Sequence, residues 1–377
     1  MYNLLFIKIY GIEFYGTMTA VISMSVFFTI FVNFAADKRM VKELYSHHQQ
    51  IDAYIWASLF WRIQLLLLSL AVFFFFQLEK PELCLFFGWY VLGALYPRGA
   101  SEYKERIFSQ NLIALFEKSI CFGIIALNLF TSVFTFLTMT SLLFFVRIVM
   151  IIFTYVFLTE IRTIWRGSFR KALVEQIKLL PSNFGITLAL LVNAVLIYGQ
   201  HLHLSYYADK AVVGRVGFAI QLCSFVILMQ SQLIRFLNKD IFKDTSIAAI
   251  NNIRQRGRTI AYPSMLMIIG MNSLAFFLQT YVFPEKFENL IFLTMILSVW
   301  LYILGWGLLS SQMLIKLVPS KVYFGVNCFG AALSIGTSLF LIPRYLEYGF
   351  ALQLLASHSL AILLQFAILK NVAKKIC

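Results

Sequence analysis

The chain has 377 residues, 60% hydrophobic and only 13% charged, with 31 Lys and Arg against 17 Asp and Glu for a net charge of +14. A soluble domain carries about a quarter charged residues, so the composition excludes a soluble protein and points to an all-α polytopic membrane protein. The positive charge does not call for a nucleic acid partner, because topological anchoring and attraction to anionic membrane lipids account for it.

In chain order, eleven stretches approach the roughly 20 apolar residues that a bilayer crossing needs: Thr17–Ala36, Ile55–Leu78, Glu82–Tyr96, Asn111–Phe130, Thr135–Leu158, Phe184–Tyr198, Val213–Leu237, Ala261–Phe283, Asn289–Gln312, Val322–Ile342 and Gly349–Leu369. Glu82–Tyr96 and Phe184–Tyr198 are the short ones. The first run is too long for a signal peptide core, and a charged loop follows it. Alternate connections, with the C-terminal tail, hold 21 Lys and Arg; the others hold 5. Basic loops stay on the cytoplasmic side, so the sequence places the N-terminus outside and the C-terminus in the cytoplasm.

The opening stretch "IKIYGIEFYGTMTAV" (Ile7–Val21) reads as a turn between two helices, with Gly11 and Gly16 around Glu13. A related stretch, "AVVGRVGFA" (Ala211–Ala219), opens the run at Val213, and Gly16 aligns with Gly214. Each is followed by a basic loop. Laying the first five runs on the last five leaves Phe184–Tyr198 without a partner. The expectation is a parallel repeat about an axis along the membrane normal, with a first helix lost or left out and residues 1–10 as its remnant. Domain limits follow: an N-terminal lobe over 1–158, a cytoplasmic amphipathic linker over 159–183 and a C-terminal lobe over 184–377. In the linker, Leu173, Val174, Ile177 and Leu180 recur at helical spacing beside Arg170, Lys171 and Lys178, and Pro181 reads as its end.

Ionisable groups inside the apolar runs are costly and face a cavity or a partner. Arg62 shares a face with Ser58 and Ser69. Asn111 shares one with Lys118, and Glu117 lies about 100° away. Thr140, Arg147 and Thr154 repeat at seven-residue spacing, with Arg147 near mid-helix. Cationic stripes on three helices of one half suggest a positive cavity, with Arg forks for phosphate oxygens and hydroxyls or amides for sugars. Snorkelling to the cytoplasmic surface is the competing reading for Arg62 and Lys118, and a structural pair with Arg62 or Arg147 is the competing one for Glu117. In the second half, Asn272, Gln279, Gln353, His358 and Gln365 form either a polar wall or hydrogen bonds between helices. The five cysteines are scattered, and the pairs His47–His48 and His201/His203 lack a carboxylate or thiol cluster, so no metal site is read.

The "YG-x-E-x-YG" entry to an early helix resembles the Wzx-type polysaccharide flippases of the MOP superfamily. The run "LLPSNFGITLALLVNAVLIYGQHLHLSYYADKAVVGRVGFA" (Leu179–Ala219) is similar to theirs as well. The chain departs from that pattern in lacking a first helix and in carrying Arg215 where an aromatic is common. The resemblance implies two pseudo-symmetric helical lobes, five visible helices plus six, around a central cavity. It implies no enzyme activity and no cofactor, with proton or sodium coupling through Glu117 or Asp37 left open. The implied substrate is an undecaprenyl-diphosphate-linked oligosaccharide in the bacterial inner membrane, for O-antigen or capsule synthesis. A polysaccharide polymerase and a chain-length regulator are the implied protein partners. Two other functions stay open: a polymerase, although the longest external connection is only about the 14 residues of Gly199–Val212, and a cation-coupled multidrug exporter.

Overall fold

The computed structural model describes residues 2–34, 51–76, 81–97, 106–131, 133–159, 168–243 and 252–376. Asp37 and His47–His48 lie outside them. Among the described residues every regular element is helical.

Helix α1 (Tyr2–Tyr10) stops at Gly11, whose amide donates to the Ile7 carbonyl at 3.0 Å. Gly11 has φ 86° and ψ 167°, a region that glycine enters without steric cost. Helix α2 (Ile12–Asn33) starts at once. The stretch read as a turn is therefore two helices joined by a single glycine. Next come α3 (Ile51–Phe76), α4 (Pro81–Leu92), α5 (Ile107–Thr131) and α6 (Phe136–Leu158). Pro81 opens α4 at the position where a missing N–H costs nothing, and a 3-10 turn, Gly93–Leu95, closes it. Thr135 caps α6 by accepting from the Thr138 amide at 3.2 Å.

Helix α7 (Ser168–Ala194) crosses Pro181, so the amphipathic linker and the sixth apolar run form one helix rather than two. A proline removes one helical hydrogen bond, and within membrane proteins neighbouring groups commonly compensate for that loss. A π turn, Val195–Gly199, leads into α8 (Gln200–Tyr207). Then follow α9 (Lys210–Lys243), α10 (Ile253–Phe277), α11 (Leu290–Leu317) and α12 (Ser320–Ile376). Eight helical segments among the described residues are long and apolar enough to cross a membrane. One of them, Lys321–Ala373, has 53 residues, or about 80 Å at 1.5 Å per residue, far beyond a hydrocarbon core of about 30 Å. It contains two crossings. The break lies at Leu346 (φ 47°, ψ −116°), just after Pro343, which keeps the last two apolar runs separate.

The chain divides into two compact units, Met1–Gly11 with Val21–Leu191, and Ile12–Ala20 with Val192–Cys377. In the first unit α4 packs on α3 and α6, while α5 packs on α6 and α1. Lipid tails are as apolar as leucine, so packing and hydrogen bonds rather than hydrophobicity hold such helices together. Phe73 stacks on Phe87 with centroids 3.9 Å apart, and Ala53 and Ala57 let α3 approach Ala172 of α7 closely.

In the second unit α11 is central, against α9, α10 and α12. Buried Gln230 joins three helices, its Nε2 donating to Ser264 Oγ at 3.1 Å and to the Leu301 carbonyl at 2.9 Å. The start of α2 crosses the start of α9 backbone to backbone. A Cβ on Gly214 would stand 2.5 Å from the Ile12 carbonyl oxygen, and one on Gly16 would overlap the Lys210 carbonyl. The two glycines aligned in the sequence thus serve one crossing from both sides. Tyr15 adds a bond from its hydroxyl to Gln221 Oε1 at 3.4 Å.

Candidate functional site

The buried charges of the first unit converge on the end of α4. Its last carbonyls have no partner of their own in the helix, and in a bilayer no water is at hand to serve them. Two other helices supply donors. Arg62 of α3, 1% exposed, donates through Nη1 to the carbonyls of Ala94 at 3.0 Å and Tyr96 at 3.3 Å. Tyr155 of α6 donates its hydroxyl to the Leu95 carbonyl at 2.9 Å. Arg147 of α6 reaches one turn further back, its Nη1 2.6 Å from the Trp89 carbonyl and its guanidinium carbon 4.6 Å from the Trp89 ring centroid. Cations complement the partial negative charge at a helix C-terminus.

Glu117 of α5 ties this cluster together. It accepts from Arg147 Nε at 2.7 Å through Oε1 and from the Tyr96 hydroxyl through Oε2. The two side chains of the ion pair are 15% and 4% exposed for Arg147 and Glu117. Arg147 has five N–H groups. The bonds to Glu117 and Trp89 engage Nε and Nη1, so the partly exposed guanidinium keeps donors for a further anion.

The other residues read from the sequence fall around this cluster in different ways. Ser58 is buried, and its hydroxyl has no hydrogen-bond partner. Thr140 and Thr154 are buried and bond back to their own helix, Thr140 to the Phe136 and Leu137 carbonyls and Thr154 to the Met150 carbonyl. Ser69 does the same to Leu65. Asn111 and Lys118 are exposed on α5, away from the buried Glu117. Tyr96, Tyr155 and Trp89 complete the cluster and were not singled out by the sequence. The available hint was the short α4 run ending in "GALYP", a helix that stops early and leaves carbonyls to be met.

In the second unit Arg215 of α9 pairs with Glu347 of α12, Nε to Oε2 at 3.1 Å, beside the break at Leu346. Asn272 of α10 donates to Ser298 Oγ of α11 at 2.8 Å. Gln279 accepts from the Ile291 amide at 2.9 Å. Gln353 donates to Ser334 Oγ at 2.5 Å, and Gln365 accepts from Ser310. Among the described residues no three His, Cys, Asp or Glu side chains gather as a metal site.

No protein-family model matches the chain, and no curated protein matches it in sequence. Solved structures do match. One is the lipid II flippase MurJ in an inward closed conformation, with a TM-score of 0.70 at 13% identity over 99% of this chain and 86% of that one. Another is an inward-facing multidrug resistance MATE family transporter of the MOP superfamily, with a TM-score of 0.63 at 10% identity over 97% and 90%. The chain shares the fold of these two structures. At such low identity the likeness concerns the fold, and it covers both units and nearly every residue. An all-α polytopic membrane protein, as read from the composition, follows directly.

Proposed function

We propose that the chain is a flippase of the MOP type, moving an isoprenoid-diphosphate-linked oligosaccharide across the bacterial inner membrane by alternating access. Its product would serve surface polysaccharide synthesis, O-antigen or capsule. The observation that carries this reading is the match in fold, over almost the whole chain, to the lipid II flippase MurJ. The charge pattern supports it. Arg62 and Arg147 put two guanidinium groups beside the end of one short helix, and Arg147 is partly exposed with donors to spare for a diphosphate. In this proposal Arg147 is the phosphate anchor and Arg62 and Glu117 hold it in place. Ser58, Asn111, Thr140, Thr154 and Lys118 are secondary substrate groups, and Glu117 and Asp37 are the carboxylates available for ion coupling.

The test is depletion of the protein in its host, followed by locating the lipid-linked oligosaccharide. Single repeat units trapped on the cytoplasmic leaflet support the proposal. Units that reach the outer leaflet but stay unjoined would assign a polymerase instead. The MATE likeness favours a second reading, a cation-coupled exporter. Unchanged glycolipid with increased sensitivity to cationic drugs would favour it.

A further inference from the structure

A cavity of about 310 Å³ opens within the second unit, at the lower end of the volumes that take small molecules, about 300 Å³. Its walls come from the end of α7, from α11 and from both halves of α12, and Asn193, Ser311, Gln312, Tyr323, Asn327, His358 and Gln365 supply the polar lining. Among the described residues no Asp, Glu, Lys or Arg lines it. Polar but uncharged walls inside an apolar bundle suit a ligand that is itself polar and uncharged.

The hydrogen bonds already made fix what each group still offers. His358 Nδ1 lies 3.0 Å from the Leu354 carbonyl. A carbonyl can only accept, so Nδ1 carries the proton and the neutral ring keeps Nε2 as an acceptor. Asn327 donates its Nδ2 to the Tyr323 carbonyl at 3.0 Å, which leaves Oδ1 to accept. Gln365 accepts at Oε1 from Ser310, which leaves its NH₂ to donate. The Tyr323 oxygen accepts from Ser311 at 3.3 Å, which leaves its O–H to donate. The cavity therefore presents both acceptors and donors, and among the described residues neither a carboxylate to neutralise a metal cation nor a cation to hold a phosphate.

We propose that this cavity binds one neutral, hexose-sized sugar residue through its hydroxyls, each of which donates and accepts at once. As part of the carried molecule, that residue belongs to the lipid-linked oligosaccharide, and to this extent the proposal rests on the flippase reading. The binding itself does not.

The test is thermal unfolding of the purified chain in lipid nanodiscs, titrated with the methyl glycosides of glucose, galactose, mannose, rhamnose and N-acetylglucosamine, and with NaCl and KCl. At ten times its Kd a ligand favours the folded state about elevenfold. At least one glycoside should raise the midpoint saturably. Asn327→Ala and Gln365→Ala should remove that rise while keeping the small unsaturable stabilisation that excluded sugars give any protein. Where either variant lowers the unliganded midpoint, Ser311→Ala, which deletes one hydroxyl, serves in its place. A saturable rise with sodium or potassium, abolished by the same variants, would make the cavity a cation site and overturn the proposal. No saturable rise with any glycoside would overturn it too. Depletion in the host tests flipping separately. Saturable sugar binding with an undisturbed glycolipid distribution would leave the cavity and remove the flippase.

Discussion

Replacing Arg147 alone is a poor test of its role, because Glu117 would lose its partner. Breaking a buried ion pair from one side costs about 3–5 kcal/mol, and this pair, at 15% and 4% exposure, is buried enough for that range to apply. Arg147→Met should therefore destabilise by about 3–5 kcal/mol, as should Glu117→Leu. The double variant removes both charges. It leaves the Tyr96 hydroxyl without its acceptor and takes the Arg147 donor from the Trp89 carbonyl, about 1–3 kcal/mol each, offset by about 1–4 kcal/mol where apolar groups replace a buried pair. The double variant should thus be less stable than the parent by only about 1–2 kcal/mol, well short of the sum of the singles, with a coupling energy of several kcal/mol between the two sites. Equilibrium unfolding in mixed micelles, followed by circular dichroism, measures all four corners of the cycle. If the double variant is as unstable as the sum of the singles, the Glu117–Arg147 contact carries no energy and the cluster is misread. The same variant separates folding from function: it should insert and fold, yet leave lipid-linked oligosaccharide on the cytoplasmic leaflet.

Arg62→Met strips donors from the Ala94 and Tyr96 carbonyls. It should cost about 2–3 kcal/mol and speed amide exchange around the end of α4, as read by hydrogen exchange with mass spectrometry. Gly214→Ala forces a methyl against the Ile12 carbonyl and should cost about 1–3 kcal/mol or more. Gly270→Ala, where nothing lies within 4 Å of the added carbon, should stabilise by about 0.4–1 kcal/mol; the two melting temperatures should move in opposite directions. Leu346→Gly relieves a positive φ that costs a side-chain-bearing residue on the order of 1–3 kcal/mol, so its melting temperature should hold or rise despite the lost side chain.

How much of this was legible in the sequence depends on whether the answer lay in side chains or in the backbone. Arg62, Glu117 and Arg147 stand out as charges in apolar runs, and all three meet in one cluster. What the two arginines touch was hidden, because the Trp89, Ala94 and Tyr96 carbonyls are backbone groups present at every residue and only the early end of α4 makes them needy. The Gly16–Gly214 alignment was visible as a repeat, and the structure turns it into a contact that both glycines permit. Pro181 misled as a helix stop, since the helix runs through it to Ala194, as membrane helices tolerate. The break at Leu346 carries no sequence signal beyond Pro343 and Gly349. Thr140 and Thr154 keep the expected seven-residue spacing, yet their hydroxyls turn back to their own helix, as threonines in helices often do. Periodicity cannot distinguish that from facing a cavity.

Transport of a lipid-linked oligosaccharide can be observed by reconstituting the purified chain into proteoliposomes loaded with that glycolipid from the host. An impermeant glycosidase added outside reads which molecules have changed leaflet. The internal pool should become accessible with the parent chain, and remain protected in protein-free vesicles and with the Glu117→Leu/Arg147→Met variant. A pool that stays protected with the folded parent chain, under an imposed proton or sodium gradient as well as without one, would contradict transport.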